Sequence, residues 1–301
     1  MDIGQTRRCK KLVKRTSVSN IYDCRRSSDS VTTMAVQKKE ERKKRKQEEE
    51  QVAEHKDMPE ESRERMEKIA KKAKIMWVCY PNSPTGKNAT HEMYQSVYDF
   101  CQKHEIILAS DEPYSEIYFT DEPPISALSV GKKGVIVFNS LSKRSRMTGY
   151  RVGWACGDAE IISTFRNLKT NIDSGTPNFV QEAAMVALSD ETHVQEANKE
   201  YTEKLEIMQE ALTSIGLPAS QTEGSFYIWQ EVPENETSVS FAKKLLDPSI
   251  GVVVTPGEII SDECDYKGKH INPGKNFVRF ALVPTVERVK EAAERIIKTK
   301  K

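Results

Sequence analysis

The sequence predicts an α/β fold, in which a three-layer, mostly parallel sheet is followed by a smaller C-terminal α+β domain. Two observations predict it. Short, continuously apolar runs alternate with helix-patterned stretches from about residue 57 to 191, which indicates a sheet covered by helices on both faces. One long helical pattern at 192–217 then separates these runs from a strand-rich segment at 218–301 that ends in a helix. We therefore expect a partial large domain, a linking helix and a small domain.

The predicted large domain begins with a helix in "MPEESRERMEKIAKKA" (58–73), where proline occupies the first turn. The predicted strands are the apolar runs "KIMWVCY" (74–80), "EIILASDE" (105–112), "GVIVFNS" (134–140) and "RVGWACG" (151–157). The stretches "THEMYQSVYDFCQKH" (90–104) and "DAEIISTFRNLKTNI" (158–172) have the helical spacing of apolar residues. Each strand ends in polar or small residues, so its carboxyl end is expected to face a loop.

The linking helix is predicted over "THVQEANKEYTEKLEIMQEALTSIGL" (192–217), where Gly216 and Pro218 act as stop signals. Beyond it, the strand pattern returns in "GSFYIWQEV" (224–232), "IGVVVTPG" (250–257) and "NFVRFALV" (276–283). A terminal helix is predicted in "VERVKEAAERIIKTK" (286–300). Strands followed by a helix indicate a small domain that is joined to the large one by the long helix.

Residues 1–56 differ from the rest of the chain, because they hold 16 lysine and arginine residues against 9 aspartate and glutamate residues. Their central run "QKKEERKKRKQEEEQ" has nothing apolar to bury, so it is predicted to be disordered or a solvated helix. Its basic residues alternate with glutamates and lack an aromatic neighbour for base stacking, which argues against RNA contact.

The composition excludes several functional classes. A net charge of +1 creates no overall field for nucleic acid or for an anionic membrane, and no apolar stretch approaches the length of a membrane span. Six cysteines without CxxC spacing are interpreted as free thiols of a reducing, cytoplasmic protein. Five histidines without ligand spacing predict no metal site.

Polar side chains stand where the predicted strands end, which is where such sheets bind ligands. Asn82, in "YPNSPTG" (80–86), follows the first strand, and the two prolines beside it stiffen the loop. Asp111 and Tyr114 follow the second strand. A carboxylate in a partly buried pocket needs a cationic partner or hydrogen-bond donors, or it stays protonated.

The third strand end leads into "SLSKRSRMTGYRVGW" (140–154). Lys143 is a candidate Schiff-base former, because a desolvated lysine loses its proton near neutral pH. Ser140 and Arg151 together suit a phosphate, and Arg279, between apolar residues of a later strand, requires a carboxylate partner. Each residue alone also fits a turn, a loop or a solvated surface, but the set suits a phosphorylated pyridine aldehyde.

The segments "YPNSPTG", "SDEPYSEIYF", "SLSKRSRMTGYRVGW" and "NFVRFAL", in this order, resemble the fold-type-I pyridoxal-phosphate aminotransferases of class I/II, over roughly residues 57–301. The resemblance implies that Lys143 forms an aldimine with pyridoxal 5′-phosphate and moves the reacting proton. The other implied roles are Asp111 for the pyridinium nitrogen, Asn82 and Tyr114 for the phenolic oxygen, Ser140 and Arg151 for the phosphate, and Arg279 with Asn82 for the substrate; Asp111 and Tyr114 are implied to be catalytic.

The implied activity moves an amino group from an L-amino acid to a 2-oxo acid, as part of amino-acid metabolism, in a cytoplasmic homodimer. The stretch "DSGTPNFVQ" (173–181) resembles a segment that, in family dimers, approaches the cofactor of the neighbouring subunit. The resemblance does not by itself select the amino acid or the oxo acid.

The resemblance begins late in the chain. Family members have a phosphate loop and a ring-stacking aromatic residue before the asparagine motif, and residues 1–56 contain neither pattern. We therefore expect the N-terminal half of the large domain to be missing or replaced. The alternative function is a truncated, catalytically inactive chain that acts as a binding or partner protein.

Overall fold

The computed structural model describes residues 60–266 and 268–300. The prediction of a disordered segment at 1–56 therefore lies outside the described residues.

The described residues fall into two compact units, which divide between residues 74 and 75. In the first unit, helix α1 at Glu60–Ala70 confirms the helix that the sequence predicts there. The strands and all the predicted site residues belong to the second unit. The finer division into a large domain, a linking helix and a small domain stays a prediction.

The strands of the second unit are β1 (Ile75–Cys79), β2 (Ile107–Asp111), β3 (Val135–Ser140), β4 (Gly153–Gly157), β5 (Tyr227–Glu231), β6 (Thr255–Pro256), β7 (Cys264–Tyr266), β8 (Lys269–Ile271) and β9 (Phe277–Ala281). Its α-helices are α2 (His91–Lys103), α3 (Leu141–Arg144), α4 (Ala159–Asp173), α5 (Asn178–Ser189), α6 (Thr192–Ser214), α7 (Ser238–Leu245) and α8 (Val286–Ile297). Short 3₁₀ turns lie at Ala127–Ser129, Thr148–Tyr150, Gly257–Ile259 and Lys298–Lys300.

The first sheet has the strand order β1-β2-β3-β4. Strands β1, β2 and β3 run parallel, and their carboxyl ends place Cys79 beside Asp111 and Asp111 beside Phe138. Strand β4 returns antiparallel to β3 and places Gly153 beside Ser140. The prediction of an α/β fold with a mostly parallel sheet is confirmed.

Helix α2 covers one face of this sheet. Thr90 caps its first turn, because the Thr90 hydroxyl accepts a hydrogen bond from the Met93 N–H at 3.1 Å. Alternate strand residues face this helix: the Cys101 Sγ lies 3.8 Å from the Met76 Sδ, and the Tyr94 hydroxyl lies 3.3 Å from the Ser110 Oγ. The residues between them therefore point to the opposite face of the sheet.

The second sheet is antiparallel, with the strand order β5-β9-β6. It packs with helices α6, α7 and α8 around one cluster of buried apolar residues. Tyr114 and Ile117, from the loop after β2, belong to the same cluster. The loop that follows the second parallel strand therefore packs into the core of the second sheet.

Parts of the C-terminal region differ from the prediction. The run at 250–257 pairs as a strand only at Thr255–Pro256, because the Val252 N–H donates at 2.8 Å to the carbonyl of Leu245, at the end of α7, and not to a strand. Helix α6 ends at Ser214, three residues before the predicted end. The sequence pattern did not indicate α5, α7 or the hairpin of β7 and β8.

Within residues 60–266 and 268–300, no helix is both long enough and apolar enough to cross a membrane. The same part of the chain contains no group of three or more histidine, cysteine, aspartate or glutamate side chains arranged to hold a metal ion. Within this part of the chain, the cysteines at 79, 101, 156 and 264 form no disulfide bond.

Candidate active site

The carboxyl ends of three parallel strands bring the predicted polar residues to one edge of the first sheet. Asp111 ends β2 between the ends of its neighbours β1 and β3. Asn82 lies in the turn after β1, and Ser140 is the last residue of β3. Ser140 and Asp111 lie on the same face of the sheet, because side chains alternate along each strand. This is the face opposite α2, which we call the open face.

The Asn82 side chain stabilises the turn in which it lies. Its Nδ2 donates to the Cys79 carbonyl at 3.2 Å, and its Oδ1 accepts from the Thr85 backbone and hydroxyl at 3.2 and 2.7 Å. Hydrogen bonds within the turn therefore occupy the Asn82 side-chain oxygen. One of the two N–H groups of Nδ2 has no acceptor among the described residues. Asn82 can thus serve both as a turn residue and as a donor to a ligand.

The Asp111 carboxylate is half-buried, and no hydrogen bond or ion pair reaches it from the described residues. Burial raises the pKa of this carboxyl above its ordinary value, because desolvation disfavours the charged form. A cation placed against Asp111 would offset that cost. Such a position suits the role that the resemblance implies for Asp111, a partner for the pyridinium nitrogen.

Ser140, Ser142 and Arg151 form one hydrogen-bonded group after β3. The Ser140 Oγ lies 2.9 Å from the Ser142 Oγ, which lies 3.5 Å from the Arg151 Nη1. Arg151 is exposed, has a left-handed φ of 51°, and donates at 2.9 Å to the Thr148 carbonyl. Two hydroxyls and a guanidinium side by side suit an anion with several oxygens.

Lys143 lies on the short helix α3, with its ammonium nitrogen 5.3 Å from the centre of the Phe226 ring. Its neighbours anchor this helix. Arg144 is 2% exposed and binds Glu191 at 2.6 Å and the Ala187 carbonyl at 3.0 Å. Two residues further along, Arg146 pairs with a glutamate of α6 at 2.7 Å. The basic run around Lys143 is therefore a structural anchor and not simply a solvated surface.

Aromatic rings connect Lys143 to the predicted substrate-binding arginine. Tyr114 lies edge-on to Phe226 and Tyr227, with ring centres 5.5 and 5.9 Å apart. The Arg279 guanidinium lies 4.4 Å from the centre of the Tyr227 ring. Burial, reinforced by the neighbouring Tyr227 hydroxyl, raises the pKa of Tyr114, so this phenol stays protonated.

The Arg279 guanidinium has no carboxylate partner among the described residues. Its Nη2 lies 3.5 Å from the Thr255 hydroxyl, and its buried Nε has no hydrogen-bond acceptor. The carboxylate partner that the sequence indicates for Arg279 is therefore not supplied by the described residues. A buried, unsatisfied N–H group is costly, so the site suits an added acceptor such as a carboxylate.

The start of the small sheet is tied to the asparagine turn. The backbone N–H groups of Glu223 and Gly224 both donate to the Gly86 carbonyl at 2.8 Å. A Cβ on Gly224 would lie 2.8 Å from the Pro81 Cβ, so this close approach requires glycine. The contact holds Phe226, two residues later, beside the ends of the parallel strands.

Ser142, Phe226 and Tyr227 are parts of this site that the sequence reasoning missed. Ser142 stands directly before Lys143, in the serine-rich motif that was already selected for Ser140, so its spacing could have identified it. Phe226 and Tyr227 lie in an ordinary apolar strand pattern. Their role depends on a contact between segments more than 80 residues apart, which no local signal carries.

An apolar groove of about 590 Å³ lies on the open face of the first sheet, the face opposite α2. Its floor is made by alternate residues of β1, β2 and β3, and helix α4 forms one wall. The lining residues are Ile75, Trp77, Ile107, Ala109, Ile136, Phe138, Glu160, Ile161, Thr164 and Phe165. The groove contains none of the predicted site residues and so is distinct from the candidate active site.

Comparison with known proteins supports the resemblance. Residues 21–296 match the family described as aminotransferase class I and II. The LL-diaminopimelate aminotransferase of Aquifex aeolicus is 42% identical over 233 residues, which cover 76% of this chain and 57% of that protein. The chain therefore spans somewhat more than half the length of the curated relatives that it matches.

Solved structures give the same result. An aminotransferase from Neisseria meningitidis has a TM-score of 0.71 and 33% identity, over 78% of this chain and 60% of its own. An aromatic aminotransferase from Pyrococcus horikoshii has a TM-score of 0.67 and 28% identity, over 76% of this chain and 60% of its own. The similarity therefore covers about three quarters of the chain in fold as well as in sequence.

Proposed function

This chain belongs to the class I and II aminotransferase family, whose members depend on pyridoxal phosphate, and we propose that it moves an amino group from an L-amino acid to a 2-oxo acid at Lys143. Pyridoxal 5′-phosphate is the cofactor in this proposal. The roles are those that the sequence predicted, with Ser142, Phe226 and Tyr227 added by the geometry.

One observation carries the proposal. The amine of Lys143 and the guanidinium of Arg279, whose Nε is buried, lie at the same aromatic pair, Phe226 and Tyr227. Neither side chain has a carboxylate partner among the described residues. Such groups are costly unless a ligand completes them. An amino acid has a carboxylate for Arg279, and its amino group reacts where Lys143 reacts.

The residues at the strand ends also fit the cofactor. The partnerless Asp111 carboxyl suits a pyridinium N–H, because the ion pair would lower its raised pKa again. The free N–H of Asn82 and the protonated Tyr114 hydroxyl are donors for the phenolic oxygen. Ser140 and Arg151, joined through Ser142, suit the phosphate.

In the proposed mechanism, Arg279 holds the substrate by its α-carboxylate and so orients its Cα. Lys143 would act as the base that takes the proton from the substrate Cα and, as its conjugate acid, gives it back. Asp111 keeps the ring nitrogen protonated throughout. When bound, pyridoxal phosphate supplies the electron sink that stabilises the negative charge at Cα.

We propose LL-diaminopimelate as the first amino donor to test. The support is the name of the relative that is 42% identical to this chain. A cytoplasmic homodimer is part of the same proposal, on the basis of the free cysteines and of the resemblance of residues 173–181 to a dimer-contacting segment.

The decisive experiment traps the cofactor. Purified protein is mixed with pyridoxal phosphate, reduced with borohydride, digested and examined by mass spectrometry. We expect a stable adduct on the peptide that contains Lys143, lost in Lys143→Ala and retained in Lys132→Ala, which removes an exposed lysine near the start of β3. Production of a new amino acid from LL-diaminopimelate and a 2-oxo acid should follow the same pattern.

Absence of the adduct at saturating cofactor would overturn the proposal and leave the inactive partner protein as the better hypothesis. An adduct without turnover of any amino acid would separate cofactor binding from catalysis. In that case the binding roles would stand and the transaminase activity would not.

A further inference from the structure

A second carboxyl group lies next to Asp111 but on the other side of the sheet. Glu112 follows Asp111 directly, and its side chain points with Ser110 to the face that α2 covers. Glu112 is 4% exposed and Ser110 is fully buried. The proposed function assigns no role to Glu112, because it faces away from the open side.

Glu112 connects the end of β2 to the rest of the covered face. Its Oε1 accepts from the Ser110 hydroxyl and from the Ala127 backbone N–H, both at 2.9 Å. Ser110 in turn contacts the Tyr94 hydroxyl of α2 at 3.3 Å. The Glu112 backbone N–H donates to the Phe138 carbonyl of β3 at 2.8 Å. One residue thus fixes the strand end to a helix, a turn and a neighbouring strand.

Burying a carboxyl group costs free energy, because the group loses its contacts with water. Burial raises the pKa of Glu112 to about 7, although the hydrogen bonds from Ala127, Ser126 and Ser110 oppose the shift. An apolar side chain of the same size would avoid this cost but would leave the Ala127 N–H and the Ser110 hydroxyl without their acceptor. The acceptor, and not the volume, is therefore what the site requires.

We propose that Glu112 is a positioning residue for Asp111, which it holds in place from the covered face by accepting hydrogen bonds from Ser110 and Ala127. Asp111 has no such bonds of its own on the open face. Its direction is therefore set by the backbone that Glu112 fixes. This inference rests on the proposed function, in which Asp111 pairs with the cofactor ring.

The test compares two variants of nearly equal shape. Glu112→Gln keeps an oxygen acceptor, whereas Glu112→Met removes it. We expect Glu112→Gln to bind pyridoxal phosphate within about threefold of the wild-type affinity, and Glu112→Met to bind it about tenfold more weakly or worse. Cofactor-free protein provides the second measurement: the Ala127 amide should exchange with deuterium faster in Glu112→Met than in Glu112→Gln.

Glu105→Met is the matched control, because it removes an exposed carboxylate beside the other end of β2. It should behave as wild type in both measurements. Equal cofactor affinity in Glu112→Gln and Glu112→Met would overturn the positioning role, whether both stay normal or both fall. If wild-type protein binds no cofactor, the proposed function fails, while the exchange of Ala127 still shows whether the hydrogen bond from Glu112 holds this turn.

Discussion

The two faces of the first sheet differ in how they are covered. On the α2 side, Leu108 is fully buried, and the polar Ser110 is enclosed by hydrogen bonds. On the other side, Ile75 and Trp77 are 50% and 61% exposed, and a groove follows the strands. Both faces belong to the same strands, so the difference in burial comes from the helices that pack on each face.

The two faces of the sheet have different roles: one contributes to stability, and the other presents groups that can bind a ligand. The covered face holds apolar packing and a closed polar network, and its groups already have partners. The open-face positions lead to Asp111 and Ser140, which end their strands with groups able to meet a ligand. A strand end can serve both purposes, because successive side chains point to opposite faces.

The largest expected effect is on stability at the covered face. Leu108→Ala should lower the free energy of unfolding by about 2–5 kcal/mol, because it leaves a cavity in a closely packed region. Ile75→Ala, on the open face, should cost less than about 1 kcal/mol. Urea unfolding followed by circular dichroism measures both values.

Equal losses in these two variants would contradict the contrast between the faces. That result would indicate that Ile75 is covered in solution by another part of the chain or by a second molecule. Sedimentation at several concentrations would then distinguish the two explanations.

The next effect concerns pH. The pKa of Glu112 rises from 4.5 to about 7 on folding, so its neutral form favours the folded state. Its contribution is complete below pH 4.5, falls as pH rises to 7, and amounts to roughly 3 kcal/mol across that window. In cofactor-free Glu112→Gln, the free energy of unfolding should no longer fall with pH in this window on account of residue 112. Asp111 and Tyr94 are both present in this variant, so the comparison isolates Glu112. An unaltered slope in urea midpoints against pH would refute the assignment.

Thiol reactivity provides a third comparison between the faces. Cys101, on α2, is fully buried, and burial raises its pKa to about 11. Cys79 is half-buried at the open face, and burial raises its pKa as well. Because only the accessible thiolate reacts, we expect Cys101 to be alkylated about tenfold more slowly than Cys79, or slower still. Peptide mass spectrometry over time measures both rates, and a faster Cys101 would contradict the burial pattern.

The smallest expected effect is that of Trp77. Because this ring is largely exposed, Trp77→Phe should change the free energy of unfolding by less than about 1 kcal/mol. The same substitution should remove a large share of the tryptophan fluorescence that acrylamide quenches. If quenching is unchanged, Trp77 is shielded in solution, and the open face has a cover that the described residues do not provide.

The sequence predicted the strands of the first sheet well, because short buried runs bounded by polar residues have a strong local pattern. It failed at 250–257, where the same apolar pattern belongs to extended chain packed into the core. A run of apolar residues predicts burial, but it does not predict which backbone groups the run will pair with. Helix α5 was not predicted from the sequence pattern.

The motifs located Asn82, Asp111, Ser140, Lys143 and Arg279 before any coordinates, since each stands at a predicted strand end or within a strand. What they could not show was how these residues are held. The anchor at Arg144 and the acceptor at Glu112 resemble surface charge in the sequence, and only burial shows that they are fixed parts of the structure.

By itself the sequence determined the strands of the first sheet, the long helices α2, α4, α6 and α8, and the candidate site residues, because all of these depend on local spacing and on residue type. Tertiary structure alone decided that Phe226 and Tyr227 would connect Lys143 with Arg279, and that one face of the first sheet would stay open. Contacts between distant segments follow from the packing of whole elements, and the spacing of residues within one element does not encode them.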